Sequence, residues 1–413
     1  MKNRVVITGM GAVTPIGNDA KTFWQNCREG KSGIDYIKGF DTTDFKVKIA
    51  AEVKDFNPEN YMDKKEAKRM DKFNQFAMAA AKEAVEDSGL NLDEVNKYRF
   101  GVLVGSGIGG LGTIQAECQK LLEKGPSRVS PLFIPMAISN MASGSIAIKY
   151  GARGLCTSVV TACASGTNAI GDAFRALQNG IADVMIAGGA EASITPLGVA
   201  GFTSITALNT NNDIERASIP FDKERNGFVI GEGAGIIIME TLEHALARGA
   251  RIYCEMVGYG STGDAYHMTQ PDPEGQGATR SMQLAIEESG VAVEDISYIN
   301  AHGTSTYYND KLETLAIKNV FGEQAYKVPI SSTKSMVGHS LGASGAIEAV
   351  VCINAIKDSY LPPTIGYKVP DEECDLDYIP NVGRTADVEY TLSNSFGFGG
   401  HNATIMFKKW KEQ

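Results

Sequence analysis

The chain has 413 residues, 43% of them hydrophobic, which exceeds one ordinary domain and predicts two domains or two fused halves. A net charge of -10 leaves no broad basic surface for phosphates and excludes nucleic acid as the main partner. Seven cysteines without any C-x-x-C spacing build neither a disulfide nor a zinc framework, and no run nears the roughly 20 apolar residues that cross a bilayer, so a cytoplasmic chain without a membrane segment is expected.

Taken in order, the elements begin with "RVVITG", an apolar run too short for a signal-peptide core and read as a buried strand. Phe73, Phe76, Ala77, Ala80, Ala81, Ala84 and Val85 then line one face of a helix that Gly89 is placed to end. "FGVLVGSG", "TSVVTA", "DVMIAGG" and "AGIIIME" read as further buried strands. The helical "LEHALARGA" closes this part, and "ISYINAHG" and "VPISSTK" give strands beyond it. Such alternation predicts an α/β architecture with covered sheets, divided near residue 250 into halves 1–250 and 251–413. An internal echo supports two halves: "CASGTNAIGDAFRAL" and "GASGAIEAVVCINAI" share Ala-Ser-Gly, at Ala164 to Gly166 and Ala343 to Gly345, each opening a helical pattern.

Cys163 and His339 lie just before the two copies. At a strand-to-helix junction, unpaired N–H groups and the helix dipole favour a thiolate, so Cys163 is expected to be nucleophilic near neutral pH. Cys27, Cys118, Cys156, Cys254, Cys352 and Cys374 are expected to be buried hydrophobes. Two of the five histidines, His302 in "INAHGTSTYYND" and His339 in "SSTKSMVGHSLGASG", follow apolar strands in small-residue loops, where α/β proteins place chemistry. His244 sits in a helical pattern and is taken as structural, whereas His267 receives no role. Metal ligation wants three or four clustered ligands, and these are scattered singly; no metal and no cofactor are expected. Covalent acyl transfer fits better, with "NSFGFGGHNA" as a Gly-rich source of oxyanion-binding N–H groups.

"TACASG", "HGTST", "TKSMVGHSLGASG" and "NSFGFGG" resemble the signature segments of the β-ketoacyl-acyl-carrier-protein synthases, and the likeness runs from "RVVITGMGAVTPIG" through "PFDKERNGFVIGEGAG" to "GFGGHN". Among them it is most similar to the type that elongates medium and long acyl chains. The resemblance implies a thiolase-like fold: two similar halves, each a sheet with helices, in a five-layered α-β-α-β-α arrangement that forms a homodimer. By itself "GMGAVT" is a poor dinucleotide fingerprint, with Thr14 where the third glycine belongs.

The roles that follow are those the resemblance implies. Cys163 takes the acyl group as a thioester; His302 and His339 stabilise the enolate formed when a malonyl thioester loses carbon dioxide; N–H groups of Cys163 and Phe398 hold the other oxyanion. Lys334 and Glu348 pair beside the histidines, either in a catalytic role or as a structural ion pair. Thr304 and Thr306 bind the pantetheine arm. Ile108, Phe202, Phe396 and Gly399 belong to the acyl site, where Ile108 lines the tunnel and Phe398 acts as a gate between the flexible Gly397 and Gly399. Tyr307 stands where many relatives carry proline, and His401 replaces a threonine and receives no role. "DKKEAKRMDK" is a basic island in an acidic chain, and Lys65, Lys68 and Arg69, with Arg128, match positions that dock acidic acyl carrier protein. Related readings are the ketosynthase subunit of an aromatic polyketide system and a non-enzymatic chain-length partner subunit, a paralogue that usually lacks the nucleophile.

Overall fold

In the computed structural model, which describes residues 2–411, ten strands share one ladder. They are β1 (Val5–Val13), β2 (Phe100–Gly105), β3 (Cys156–Thr157), β4 (Val184–Glu191), β5 (Gly233–Thr241), β6 (Cys254–Gly263), β7 (Ile296–Asn300), β8 (Ile330–Ser331), β9 (Tyr390–Gly397) and β10 (His401–Lys409). Their order is β8-β7-β9-β10-β6-β1-β5-β4-β2-β3.

That order contains its own repeat. From the β3 edge inward run the third, second, fourth, fifth and first strands of one half, and from the β8 edge the same sequence runs in the other. In each half the outer three are parallel, and the remaining pairings are antiparallel. The halves are not separate sheets: β1 and β6 join them through Val5, Val6 and Ile7 opposite Met256, Glu255 and Cys254.

Helices repeat with the strands. Helix α1 (Lys72–Ser88) covers the outer face of β1 and β5, with Asp71 accepting from the N–H of Phe73 at its start and Gly89 ending it at φ 62°. Helix α3 (Gln276–Ser289) covers β6 and β10 in the same way, and α4 (Tyr307–Phe321) packs beside α3. Glycines set the distance between helix and strand. A Cβ on Gly9 or Gly11 would fall 2.3 Å from the Ala84 carbonyl oxygen or 2.1 Å from that of Ala80, and one on Gly258 or Gly260 would fall 2.2 Å from Ala285 O or 1.9 Å from Ser281 O. The "GMG" glycines therefore lie inside a strand and admit a helix, where a dinucleotide turn would have put them in a loop.

Helices α2 (Ser165–Gln178) and α5 (Ser344–Asp358) pack on each other between the halves, and each touches strands of both. This completes the five layers. The Ala-Ser-Gly echo has a packing cause: a Cβ on Gly166 would meet Gly342 O at 2.8 Å, and one on Gly345 would meet Thr167 Oγ1 at 1.8 Å. Each helix follows a single 3-10 turn whose first residue has positive φ, Ala162 at 49° and Leu341 at 47°. For a residue with a Cβ that conformation costs about 1–2 kcal/mol, so the surrounding packing holds both turns in place.

Two expectations need correction. "TSVVTA" is not a buried strand: only Cys156 and Thr157 pair, on the outer edge of the ladder, and both are exposed, as is Val160. An edge strand has a neighbour on one side alone, and both residues of this one remain exposed although the helix Met141–Tyr150 packs against it. Cys156 is therefore exposed, and so is Cys118 on the solvent face of the helix Leu111–Lys124, whereas Cys27, Cys254, Cys352 and Cys374 are buried as expected. No helix among the described residues is long and apolar enough to cross a membrane.

Candidate active site

Three segments from separate parts of the chain converge where the two halves meet. The turn before α2 carries Cys163, the loop after β7 carries His302, and the loop before α5 carries His339. All three side chains are buried and line one cavity of about 400 Å³, together with Phe202, Thr304, Thr306, Phe396 and Phe398. The His302 and His339 rings stand edge to face with centroids 5.2 Å apart, and Phe396 lies 5.6 Å from His302.

Strain marks the same segments. Ala162 precedes Cys163, Ser305 follows Thr304 with φ 68°, and Leu341 lies two residues past His339. The Ser305 hydroxyl anchors its loop by accepting from the Ile219 N–H at 2.9 Å.

Burial governs the charges. It raises the Cys163 thiol to about 12, against the pull of Lys334 and of the N–H groups of Phe398 and Cys163 that face the sulfur. Burial thus opposes the thiolate that the strand-to-helix junction is expected to favour. Desolvation of the buried sulfur outweighs the helix terminus, which contributes about 0.3–1 kcal/mol. Burial, reinforced by Lys334, also holds both imidazoles well below their usual range, and both are neutral at pH 7. The Ser344 hydroxyl lies 3.0 Å from His339 Nδ1, while His302 Nδ1 has no partner among the described residues.

Behind the histidines Lys334 and Glu348 form a fully buried ion pair, and burial raises the Glu348 carboxyl in spite of it. The Thr304 and Thr306 hydroxyls bond to each other at 2.9 Å on the cavity wall. Phe398 lies in the turn between β9 and β10. Gly397 is a paired strand residue and not a free hinge: a Cβ there would meet Thr161 O at 2.7 Å and Cys163 N at 3.1 Å. Gly399, at φ 91°, is exposed in the turn and does not line the cavity.

Ile108 also lies outside the cavity wall, packed in an apolar cluster with Cys163, Phe202 and Leu341. Lys65, Lys68, Arg69 and Arg128 are exposed, and none forms an ion pair among the described residues. His244 bonds to the buried Glu240 at 2.5 Å. His267 is exposed and accepts from the N–H groups of Thr269 and Gln270, and His401 packs beside Gly399.

Two buried carboxylates at the site escaped the sequence reading. Glu313 on α4 accepts from the N–H groups of His302 and Gly303, each at 2.8 Å, and from Asn394 Nδ2 at 3.2 Å; burial raises it to about 7. Glu191, closing β4, accepts from Gly107 N–H at 2.7 Å and Gly342 N–H at 3.1 Å. An acid at the end of an otherwise small and apolar strand was the available signal for Glu191.

Family comparison agrees with this geometry. Residues 2–245 match the family model for the beta-ketoacyl synthase N-terminal domain, and residues 253–368 match its C-terminal domain. The chain is 55% identical over 408 residues, 99% of either chain, to a 3-oxoacyl-[acyl-carrier-protein] synthase 2 of Staphylococcus aureus (strain COL). It is 56% identical over 411 residues, again 99% of each, to the synthase of the same name from a Synechocystis species. A solved ketosynthase in complex with its type II polyketide acyl-carrier protein superposes with a TM-score of 0.92 at 37% identity, covering all of both chains.

Proposed function

The chain belongs to the β-ketoacyl synthase family, and from that premise we propose how its site carries out carbon–carbon bond formation between an acyl chain and a malonyl unit, both delivered on acyl carrier protein. It is a condensing enzyme of fatty acid elongation. The observation that carries the assignment of roles is the single cavity joining Cys163, with two N–H groups facing its sulfur, to two neutral histidines.

In the first step the Cys163 sulfur adds to the acyl thioester carbonyl and expels the carrier thiol. The new C–S bond replaces the old one, and the thiol proton ends on the carrier sulfur. The N–H groups of Cys163 and Phe398 hold the oxyanion.

Malonyl thioester then enters. Its carboxylate leaves as carbon dioxide, and the electron pair of the broken bond moves to the thioester oxygen. His302 and His339 each donate an N–H there, His339 in the tautomer that carries its proton on Nε2 and accepts from the Ser344 hydroxyl at Nδ1. Neutral rings keep a fixed donor without adding a charge that would hold the malonyl carboxylate in place. The enolate carbon attacks the acyl-Cys163 carbonyl, a carbon–carbon bond forms, and the expelled sulfur takes a proton from solvent. With its thiol raised to about 12, Cys163 returns to the neutral state after each turnover.

The remaining assignments belong to the same reading. Half 1–250 supplies the nucleophile and half 251–413 the histidines. Ile108 and Phe202 bound the acyl chain beyond Cys163, Thr304 and Thr306 hold the pantetheine arm, and Lys65, Lys68, Arg69 and Arg128 dock the acidic carrier. A second copy covers the free β3 edge, beside which Ile148 and Val160 stand 81% and 55% exposed. The enzyme works in the cytoplasm, where its seven free thiols stay reduced. Full-length identity of 55% favours the fatty-acid pathway over the polyketide reading, whose solved relative stands at 37%.

The test is Ile108→Phe, assayed for Cys163 acylation against acyl chain length. Short chains should react and long ones fail; equal losses at every length would remove Ile108 from the acyl site.

A further inference from the structure

We propose that Glu191 is a positioning residue for the acyl site: its carboxylate ties the backbone that carries Ile108 to the turn between His339 and α5, so that chain-length preference depends on it. The proposal rests on the reading of Ile108 as a wall of that site.

Glu191 is fully buried, and no basic side chain pairs with it among the described residues. Its partners are donors from two distant segments. Oε2 accepts from Gly107 N–H at 2.7 Å and from Gly342 N–H at 3.1 Å. Oε1 accepts from Ile108 N–H at 3.2 Å, from the Ser106 hydroxyl at 3.1 Å and, more weakly, from the Ser193 hydroxyl at 3.4 Å. A buried carboxylate held by neutral donors alone is an expensive way to build a turn, which argues for a geometric requirement at this place.

The glycines agree. A Cβ on Gly107 would lie 2.8 Å from Glu191 Oε2, and one on Gly342 would lie 2.7 Å from the same oxygen and 2.4 Å from Gly107 N. Both glycines are therefore needed for the two segments to close on one oxygen. Ile108 hangs from this anchor, and its side chain packs with Cys163, Phe202 and Leu341. Movement of the anchor shifts the far end of the acyl site relative to the nucleophile. Glutamine cannot substitute: in either amide orientation its NH2 would face backbone N–H donors.

The experiment compares kcat/KM for short and long acyl-carrier substrates in the parent, E191Q, G107A and E83Q, with thermal melts run in parallel. Glu83 is the control: it is a half-buried carboxylate on α1 accepting from the N–H groups of Ala12 and Ala20, where α1 meets β1 and the helix Ala20–Arg28. E191Q and G107A should lower the long-to-short ratio at least tenfold, and E83Q should lower stability without moving it. Parallel losses at both lengths, an unchanged ratio, or an equal shift in E83Q would overturn the proposal. If E191Q does not fold, G107A alone decides by the same ratio. A parent enzyme that condensed no acyl-carrier substrate would instead refute the function on which the proposal rests.

Discussion

At Cys163 two effects of opposite sign compete, and burial prevails over the helix terminus. The thiol's rise to about 12 means that the thiolate fraction grows tenfold per pH unit throughout the neutral range. Alkylation of Cys163 by iodoacetamide, followed on its peptide, should therefore climb about tenfold per unit from pH 7 to 9 without levelling; a plateau near pH 7 would show a depressed thiol. The imidazoles are shifted the other way and stay neutral. His302→Ala and His339→Ala should each slow carbon dioxide release by about 10²–10³-fold, the scale of a lost oxyanion donor, while acylation of Cys163 falls much less. Equal losses in both half-reactions would contradict their placement at the malonyl carbonyl. Lys334 acts on both rings through its charge, and the pair it forms with Glu348 separates structure from chemistry. Lys334→Met leaves a buried carboxylate unpaired and should cost about 3–5 kcal/mol. Adding Glu348→Leu should restore most of that stability without restoring decarboxylation; recovered activity would make the pair purely structural.

Between elements, glycine decides how close the backbones come. Gly397 lets β9 lie against the Cys163 turn, and Gly397→Ala should lower acylation at least tenfold by displacing the Cys163 and Phe398 N–H groups, with a smaller change in melting temperature. An unaffected acylation rate would show that the turn has room. The same contacts explain what was legible in the sequence. Helix α1 announces itself through Phe73 to Val85 and Gly89 because its periodicity is local. The Ala-Ser-Gly echo marks α2 and α5 because two helices that touch need glycine at the same place. A second echo, "TGMGAV" against "VGYGST", went unread although its glycines seat α1 and α3 on equivalent strands. Cys163 and the two histidines were legible because each sits in a distinctive motif. Glu191 and Glu313 were not, since their partners are backbone N–H groups, which carry no side-chain signature in the sequence. "TSVVTA" misled because its composition suits a buried strand, while its place on the ladder edge leaves its paired residues exposed.

The whole molecule is one design used twice, with five strands in the same order in each half and the paired helices α2 and α5 between them. The duplicated turns have diverged in what they present: Cys163 in one, and Gly342 behind His339 in the other. Surface charge follows a different logic. In a chain of net charge -10, Lys65, Lys68 and Arg69 are exposed close together in sequence, and the role proposed for them is to steer an acidic carrier. Reversing Lys65 and Arg69 to Glu should raise KM for the carrier about tenfold at low salt, with the difference shrinking by about 0.5 M salt as the charges are screened. A defect in kcat that salt does not touch would place these residues elsewhere in the cycle. The central claim, that one cysteine holds the growing chain while two histidines generate its carbon nucleophile, is tested most directly by mass analysis of the enzyme through a single turnover. Acyl-carrier protein alone should load one acyl group on Cys163 and on none of the other six cysteines; malonyl-carrier protein should then discharge it with one carbon dioxide per β-ketoacyl product two carbons longer. An acyl group found on another cysteine, or a Cys163 adduct that malonyl-carrier protein leaves in place while carbon dioxide is released, would contradict the account.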